Sequence, residues 1–247
     1  MTRAGMRVLV TGSSRGIGAA TVRRLASPGT SLIVHYGQHR AEAEAVASDA
    51  RRAGAEATIF GADLGEPGAA LRLAEHVLAG GTTLDGLVHN AGSYPRQRFL
   101  ESAAADFEDL YRTNVVGPAD LTRALLPALE AAEPGHVVFI SSILAFDGAR
   151  RGAPYAAAKA GQLGLARSLA RELAPRVVVN VVAPGSIDTA ILAGDTPELR
   201  SKRNAAIPLG RIGHPEEVAD AVAFLVSDRA NYLTGATLHI NGGLRME

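Results

Sequence analysis

The sequence predicts a doubly wound α/β fold, in which a mostly parallel seven-stranded sheet carries helices on both faces. Short apolar runs alternate with longer segments of helical periodicity, which is the pattern of repeated strand–helix units. Several runs are apolar at every position, as in 137–140 and 177–179, which is typical of parallel strands covered on both faces. The 247 residues, 47% of them hydrophobic, suffice for a buried core, and we assign 1–247 to a single domain.

Seven apolar runs are the predicted strands, and most segments between them are predicted helices. In chain order the strands are Arg7–Thr11, Ser31–Tyr36, Ala57–Phe60, Leu84–His89, His136–Ser141, Val177–Val182 and Thr237–Ile240. The helices are Gly16–Ala26, Ala41–Ala53, Gly68–Leu78, Ala103–Ala132 with a bend near Gly117 and Pro118, Pro154–Leu173 and Glu216–Val226. The least regular stretch, 186–214, is punctuated by proline and glycine and is interpreted as a substrate lid.

The composition excludes several classes of protein. The 25 Lys and Arg residues balance 25 Asp and Glu residues, which disfavours nucleic acid as a partner. The chain has no cysteine, and its seven histidines lack a metal-ligand spacing, so no metal site is expected. The first apolar run is too short for a signal peptide or a membrane span, and the expected compartment is the cytoplasm.

Three glycines lie in the segment Thr11–Gly18, between the first predicted strand and the first predicted helix. Glycines at 12, 16 and 18 permit a tight turn and a close approach of the backbone to a pyrophosphate. The helix N-terminus adds N–H groups and a partial positive charge. Structural turns also produce glycine trios, but the position between strand and helix favours nucleotide binding.

Tyr155 and Lys159 are four residues apart in a helical segment, so both side chains project from one face. A nearby ammonium favours phenolate over phenol and is expected to lower the pKa of Tyr155 towards the range useful for proton transfer. Lys159 and Lys202 are the only lysines of a chain that otherwise uses arginine. The alternative is an exposed pair without a role.

Two polar residues lie where the predicted fold would place a ligand. Ser142 follows a strand at the carboxyl edge of the sheet, and its hydroxyl could hold a substrate carbonyl oxygen. Asn114 lies within a long helical region, although asparagine is a mediocre helix former. A turn or cap residue is the alternative interpretation of Ser142.

Together these residues resemble the motifs of the short-chain dehydrogenase/reductase superfamily, over essentially the whole chain. Ser142, Tyr155 and Lys159 are similar to its Ser–Tyr–x–x–x–Lys centre. The other matching segments are Thr11–Gly18 (TGxxxGxG loop), Asp63–Leu64 (beside adenine), Asn90–Gly92 (NNAG, with His89 replacing the first Asn), Asn114 (catalytic Asn) and Pro184–Thr189 (nicotinamide amide).

The resemblance implies a Rossmann fold that moves a hydride between nicotinamide and a carbonyl or alcohol. Tyr155 would protonate the substrate oxygen, Ser142 would hold it, and Lys159 would lower the pKa of Tyr155 and bind the nicotinamide ribose. Asn114 would hold a water that relays protons to Lys159. The implied cofactor-binding residues are Gly12, Ser13, Ser14, Arg15, Gly16, Ile17, Gly18, Tyr36, His39, Arg40, Asp63, Leu64, Asn90, Ala91, Gly92, Tyr155, Lys159, Pro184, Gly185, Ile187 and Thr189.

Within the superfamily, the C-terminal motifs are most similar to those of 3-oxoacyl-(acyl-carrier-protein) reductases. This resemblance implies reduction of a 3-oxoacyl thioester, with an acyl carrier protein as a candidate partner, and a homotetramer. The acidic segment 130–133 would repel an acidic carrier, whereas Arg150, Arg151 and Arg176 could contact it. A dehydrogenase or reductase for a small ketone, sugar or steroid alcohol and a non-catalytic NADP-binding regulator are the alternatives. The x–x–x spacing of Tyr155 and Lys159 argues against an enoyl reductase.

The sequence predicts a preference for NADP(H) over NAD(H). NAD-specific folds place an acid at the end of the second strand, where it binds the ribose 2′-hydroxyl. Here that strand ends at Tyr36, and no acid occurs before Glu42. Arg15, with His39 or Arg40, could instead bind a 2′-phosphate.

Overall fold

The structure is a computed structural model, and it describes residues 5–246. Its strands are β1 (Arg7–Val10), β2 (Ser31–Tyr36), β3 (Glu56–Gly61), β4 (Gly86–His89), β5 (Gly135–Ile140), β6 (Val177–Pro184) and β7 (Thr237–Ile240). They form one sheet in the order β3-β2-β1-β4-β5-β6-β7, and every neighbouring pair is parallel. The predicted α/β Rossmann fold with a seven-stranded sheet is confirmed.

The helices are α1 (Gly16–Leu25), α2 (Arg40–Arg52), α3 (Ala69–Ala79), α4 (Ala104–Tyr111), α5 (Gly117–Glu130), α6 (Leu144–Asp147), α7 (Ala153–Glu172), α8 (Pro197–Ala206) and α9 (Pro215–Leu225). On one face of the sheet α1, α2 and α9 pack against Val8 and Val10. On the other face α3, α5 and α7 pack against Leu9 and Phe139. Because successive side chains of a strand point to opposite faces, a strand buried on both faces must be apolar throughout.

The long helix predicted at Ala103–Ala132 is divided into three segments. Between α4 and α5 the chain forms a π-helical turn at Arg112–Val116, in which the Gly117 N–H donates to the Arg112 carbonyl five residues earlier. Pro118, which has no N–H, follows directly, so the usual α-helical hydrogen bond to Asn114 cannot form. The interruption lies beside the predicted bend and contains Asn114.

The stretch 186–214 is more regular than predicted, because it contains a short 3₁₀ turn, Ala190–Leu192, and the helix α8. Thr196 caps α8 by accepting a hydrogen bond from the Leu199 N–H at 3.3 Å, and Pro197 occupies its first turn. Both residues are typical of a helix start. The sequence analysis therefore missed α8, and the interpretation of this stretch as a lid stays a prediction. None of the helices described here is long and apolar enough to cross a membrane.

Candidate active site

The carboxyl ends of the central strands bring the predicted site residues to one edge of the sheet. The strand order reverses between β1 and β4, and α/β folds bind ligands in the crevice at such a point. The glycine loop follows β1 there, and Asn90–Gly92 follows β4. Ser142 lies two residues beyond β5, and Gly185 directly follows β6.

Glycine is required in the loop after β1. The φ angles of Gly12 and Gly16 are 62° and 56°, in the region that side chains disfavour. A Cβ on Gly12 would lie 2.7 Å from the Cα of Ala91, and one on Gly18 would lie 2.5 Å from the Gly12 carbonyl oxygen. Within the described residues no side chain caps α1. Its N-terminal N–H groups are therefore available to a pyrophosphate, and the loop fits a dinucleotide.

A buried histidine that the sequence analysis missed supports the glycine loop. His35, 2% exposed on β2, accepts the Gly12 N–H at Nδ1 (3.0 Å), and its Nε2 contacts the Ala62 carbonyl oxygen at 2.9 Å. These two contacts require the neutral ring with its proton on Nε2. Burial lowers the pKa of His35 to about 4, so the ring is neutral at physiological pH.

Asn90 fastens the same loop from the β4 side. Its amide donates to the carbonyl oxygens of Thr11 and Gly12, both at 2.9 Å, and its own N–H donates to the Thr11 hydroxyl at 3.0 Å. His89, the departure from the NNAG pattern, instead lies in the core, with Nε2 2.8 Å from the Thr122 hydroxyl and its ring against Phe139. Burial lowers the pKa of His89 to about 3.

Tyr155 lies at the start of α7 and is 8% exposed. Burial raises the pKa of Tyr155 to about 12, and a hydrogen bond with Ser142 partly offsets this rise. The expected lowering of the Tyr155 pKa by Lys159 is therefore wrong for this structure. The reason is geometric, because Lys159 Nζ is 5.7 Å from the centroid of the Tyr155 ring and donates to the Ile140 carbonyl oxygen instead.

Lys159 and Asn114 face a common gap beside Gly92. A Cβ on Gly92 would lie 2.9 Å from Asn114 Oδ1 and 3.6 Å from Lys159 Nζ, so only glycine leaves this gap open. The Asn114 amide donates to the Leu110 carbonyl oxygen at 2.8 Å, whereas its buried Oδ1 has no hydrogen-bond partner among residues 5–246. Buried oxygens usually have a partner, so this atom is oriented for a hydrogen bond with a ligand or water.

The remaining predicted cofactor residues differ in their contacts and exposure. Thr189 borders the glycine loop, since its methyl group would be 3.3 Å from a Cβ on Gly16. Tyr36 ends β2, and its ring covers Gly61 at the end of β3, where a Cβ on Gly61 would meet the ring at 2.7 Å. Buried members of the set are Ser13, Ser14, Leu64, Pro184 and Ile187, and exposed ones are Arg15, Arg40 and Asp63. His39 is partly exposed and lies 3.5 Å from Glu42.

The sequence analysis also missed two residues in the chain after β4: Tyr94, which lies beside Tyr155, and Arg96. Tyr94, in the loop between β4 and α4, packs its ring against that of Tyr155, with centroids 4.6 Å apart. Arg96, two residues later, forms an ion pair at 2.7 Å with Asp195, which lies in the stretch 186–214 that the sequence analysis interprets as a lid. No motif marks these residues. As far as the structure describes the chain, it holds no cluster of three potential metal ligands.

Comparisons with known proteins agree with this geometry. A family model described as enoyl-(acyl carrier protein) reductase matches residues 12–245. The chain is 40% identical to the 3-oxoacyl-[acyl-carrier-protein] reductase of Aquifex aeolicus, over 96% of both chains. The structure of the keto-reductase LugOII of lugdunomycin biosynthesis has a TM-score of 0.93 at 31% identity, covering 100% of both chains. A short chain dehydrogenase from Burkholderia cenocepacia, solved in complex with NADP, has a TM-score of 0.91 at 33% identity, covering 98% of both chains.

Proposed function

The chain belongs to the short-chain dehydrogenase/reductase family and is an NAD(P)-dependent oxidoreductase, and from this premise we propose that it reduces the ketone of a 3-oxoacyl thioester with NADPH. The observation that carries the proposal is the buried Tyr155 phenol at the carboxyl edge of the sheet, where the nearby Ser142 hydroxyl lowers a pKa that burial raises. The 3-oxoacyl-[acyl-carrier-protein] reductases among its relatives favour the thioester as substrate.

When bound, the nicotinamide supplies a hydride to the carbonyl carbon. Tyr155 donates its proton to the oxygen that becomes an alkoxide. Because burial raises the pKa of Tyr155 to about 12, the phenol is fully protonated at neutral pH and ready to donate. The Ser142 hydroxyl donates a hydrogen bond to the same oxygen and stabilises the charge that develops on it.

Lys159 and Asn114 would restore the proton of Tyr155. Burial lowers the pKa of Lys159 to about 7, so its ammonium can release and regain a proton near neutral pH. We propose that the unpartnered Asn114 Oδ1 holds a water in the gap beside Gly92, and that this water passes protons to Lys159. Lys159 would also hold the nicotinamide ribose.

The residues around the crevice fit an NADP molecule. The loop Gly12–Gly18 and the start of α1 would bind the pyrophosphate, and Asp63 and Leu64 would lie beside the adenine. The segment Asn90–Gly92 would border the ribose, and Pro184–Thr189 the nicotinamide amide. Tyr36 occupies the position of the acid in NAD-specific folds, and Arg15 at the rim would bind the 2′-phosphate.

A ketone suits the site better than the enoyl substrate in the family model's description. Tyr155 and Lys159 are one helical turn apart on α7, and we expect enoyl reductases to space this pair more widely. A carrier-bound substrate would approach the carboxyl edge of the sheet, near the exposed Arg150 and Arg151 that precede α7. Arg176 and Glu133, which the sequence analysis also considered, precede β6 and β5 at the opposite edge of the sheet, away from this approach. A free thioester is included in the test below.

The test is a substrate panel followed through the absorbance of NADPH. It contains a 3-oxoacyl thioester, the same acyl group on a carrier protein, a simple cyclic ketone and an enoyl thioester. We expect kcat/KM to be highest for the two 3-oxoacyl thioesters, and Tyr155→Phe to lose at least about 10²-fold in kcat. A higher kcat/KM for the cyclic ketone or the enoyl thioester, or full turnover by Tyr155→Phe, would contradict the proposal.

A further inference from the structure

The ring of Tyr94 is held against Tyr155 by three separate features. The two ring centroids are 4.6 Å apart, with a tilt of 40° between the planes. The Tyr94 hydroxyl donates to the Arg151 carbonyl oxygen at 2.7 Å. The next residue is Gly152, with a φ of 135°, where a Cβ would meet the Tyr94 ring at 2.4 Å. The segment that precedes the proton donor is thus shaped around the Tyr94 ring.

Arg96 links the Tyr94 loop to the lid. Its guanidinium donates to Asp195 Oδ1 at 2.7 Å and to the Ile191 carbonyl oxygen at 2.9 Å. The second oxygen of Asp195 accepts from Arg203 on α8 at 2.5 Å. We call these three charged residues, Arg96, Asp195 and Arg203, the clasp. They join the loop after β4 to two separate points of the lid.

The clasp differs from an ordinary surface ion pair in its burial. The Asp195 side chain is 0% exposed, whereas the neighbouring pair Arg200–Asp188 on the same lid is 39% and 44% exposed. Exposed pairs contribute little to stability. The Asp195 carboxylate is covered by two arginines that are themselves 31% and 28% exposed, so removal of either arginine opens the carboxylate to solvent. The two arginines hold the pKa of Asp195 below its usual value, against the opposing effect of its burial.

Both arginines of the clasp also act on Tyr94, Arg96 through a contact and Arg203 through its charge. The guanidinium carbon of Arg96 lies 6.0 Å from the centroid of the Tyr94 ring. Burial raises the pKa of Tyr94, and the charges of Arg96 and Arg203 partly offset that rise. A continuous set of contacts therefore runs from α8 through Asp195, Arg96 and Tyr94 to Tyr155.

We infer that Tyr94 is a positioning residue for Tyr155, and that the clasp keeps Tyr94 in this position when the lid is closed. The inference rests on the proposed role of Tyr155 as proton donor. The Tyr94 ring covers one face of the phenol, excludes water from it and limits its rotation. Closure of the lid over a substrate thereby also orders the group that protonates it.

The first test measures the ionisation of Tyr155 without any substrate. The absorbance of the parent is followed as pH rises, and the change seen in Tyr155→Phe is subtracted from it, which leaves the ionisation of the Tyr155 phenol. The same subtraction is made between Tyr94→Leu and the double variant Tyr94→Leu/Tyr155→Phe. Loss of the covering ring rehydrates the phenol, so its midpoint should fall by at least about one pH unit in Tyr94→Leu. An unchanged midpoint would show that Tyr94 does not shield Tyr155.

The second test separates the ring of Tyr94 from its hydroxyl. Tyr94→Phe keeps the ring and should retain kcat within about threefold, whereas Tyr94→Leu should lose at least about tenfold in kcat. The affinity for NADPH, titrated by fluorescence, should stay within about twofold of the parent in both variants. An equal loss of kcat in the two variants would overturn the inference, because the hydroxyl and not the ring would then act.

The third test acts on the clasp and uses a matched control on the same helix. Arg203→Gln removes one partner of the buried Asp195, and Arg200→Gln removes the partner of the exposed Asp188. In Arg203→Gln we expect amide hydrogen exchange in 191–203 to be at least about tenfold faster, with a lower Tyr155 midpoint. Arg200→Gln should match the parent in its rate of hydrogen exchange and in the pH midpoint of Tyr155 ionisation. Equal behaviour of the two variants would overturn the role of the clasp.

Failure of the proposed function gives a different result. If Tyr155→Phe keeps full turnover, Tyr155 is not the proton donor. The positioning role of Tyr94 is then also wrong. If Tyr155→Phe is inactive but the Tyr155 midpoint is insensitive to Tyr94, only the present inference is wrong.

Discussion

The ammonium group of Lys159 donates a hydrogen bond to the carbonyl oxygen of Ile140 at 2.7 Å. Ile140 ends β5, and the next residue, Ser141, donates its hydroxyl to the Lys159 carbonyl oxygen at 3.0 Å. Strand β5 and helix α7 are thus fastened together at two points immediately beside Ser142 and Tyr155. The arrangement places a charge in the core, since Lys159 is only 3% exposed.

Burial of the Lys159 charge predicts a stability difference that depends on pH. Burial lowers the pKa of Lys159 from 10.5 to about 7, so the unfolded chain binds more protons than the folded one between these values. The charged form therefore destabilises the fold fully below pH 7, and this effect is relieved as pH rises towards 10.5. Lys159→Met should be more stable than the parent at about pH 6, and this advantage should shrink by at least about 1 kcal/mol at about pH 10.

Urea unfolding at the two pH values measures this difference. Lys202→Met is the matched control, because Lys202 is the other lysine of the chain and is exposed on α8. It should leave the free energy of unfolding nearly unchanged at both pH values. If the difference in the free energy of unfolding between Lys159→Met and the parent does not vary with pH, Lys159 keeps an ordinary pKa in the fold.

The hydrogen bond from Gly12 to His35 predicts a loss of cofactor affinity in His35→Leu. Removal of the ring leaves the buried Gly12 N–H without an acceptor, which costs about 1–3 kcal/mol unless the loop moves. A moved loop no longer presents its N–H groups to the pyrophosphate, so the Kd for NADPH should rise about tenfold. Calorimetric titration measures the Kd, and His76→Leu, a histidine on α3 outside the loop, is the control.

The same contact has a signature in acid. The pKa of His35 falls from 6.5 to about 4 on folding, so folding stability should decrease as pH drops through this interval. The slope of stability against pH should be smaller in His35→Leu than in the parent or in His76→Leu. Equal slopes, together with an unchanged Kd for NADPH, would rule out a supporting role for His35.

The sequence predicted the fold and the motif residues, but not the contacts that hold them. Apolar runs at 137–140 and 177–179 indicate buried parallel strands because burial on both faces leaves no other pattern. His35 gave no signal, because its acceptor role depends on a glycine 23 residues earlier in the chain. The ion pair of Arg96 and Asp195 spans 99 residues and follows no local pattern.

The pKa of Tyr155 illustrates the same limit in electrostatics. The i,i+4 spacing correctly places Lys159 on the same helix, but it does not give the direction of the ammonium group. The backbone carbonyl of Ile140, on a separate strand, competes for that group. Burial of the phenol, a property of the whole fold, then has the larger effect on its pKa.

An apolar groove between α4 and α7 predicts self-association. It encloses about 400 Å³ and is lined by Phe107, Glu108, Tyr111, Arg112, Val116, Pro154, Ala157 and Ala158. Tyr111 is 48% exposed there. Leu165 and Leu169, farther along α7, pack partly against the core of their own subunit. We expect these helices to form a symmetric contact in a homotetramer through the groove.

Light scattering at micromolar concentration tests this prediction. The parent should have about four times the 25.6 kDa mass of the chain. Tyr111→Glu places a charge in the groove and should lower the mass, whereas Leu71→Glu is a control on α3, where Leu71 is 54% exposed. A parent that is monomeric, or a Tyr111→Glu variant with the parent's mass, would contradict it.

The rim of the crevice predicts that NADPH is preferred over NADH and that Arg15 supplies much of the preference. Arg15 immediately precedes α1, is exposed, and has no ion pair in the part of the chain described. Tyr36 lies over Gly61 where an acid would repel a 2′-phosphate. A guanidinium–phosphate contact is charge-assisted, and hydrogen bonds to charged groups contribute about 1.5–3 kcal/mol. Arg15→Ala should therefore lower kcat/KM for NADPH by at least about tenfold and leave that for NADH within about twofold.

Salt and a second arginine make this test specific. The contact with the exposed Arg15 should weaken as ionic strength rises, so the ratio of the kcat/KM values for NADPH and NADH should fall with salt in the parent and less in Arg15→Ala. Arg40→Ala, at the start of α2, is the matched variant, because Arg40 is also an exposed arginine and follows β2 at the same edge of the sheet. If Arg40→Ala lowers kcat/KM for NADPH more than Arg15→Ala does, Arg40 on α2 is the residue that binds the 2′-phosphate. Equal or better use of NADH by the parent would overturn the predicted preference, because Tyr36 would then accommodate the 2′-hydroxyl without an acid.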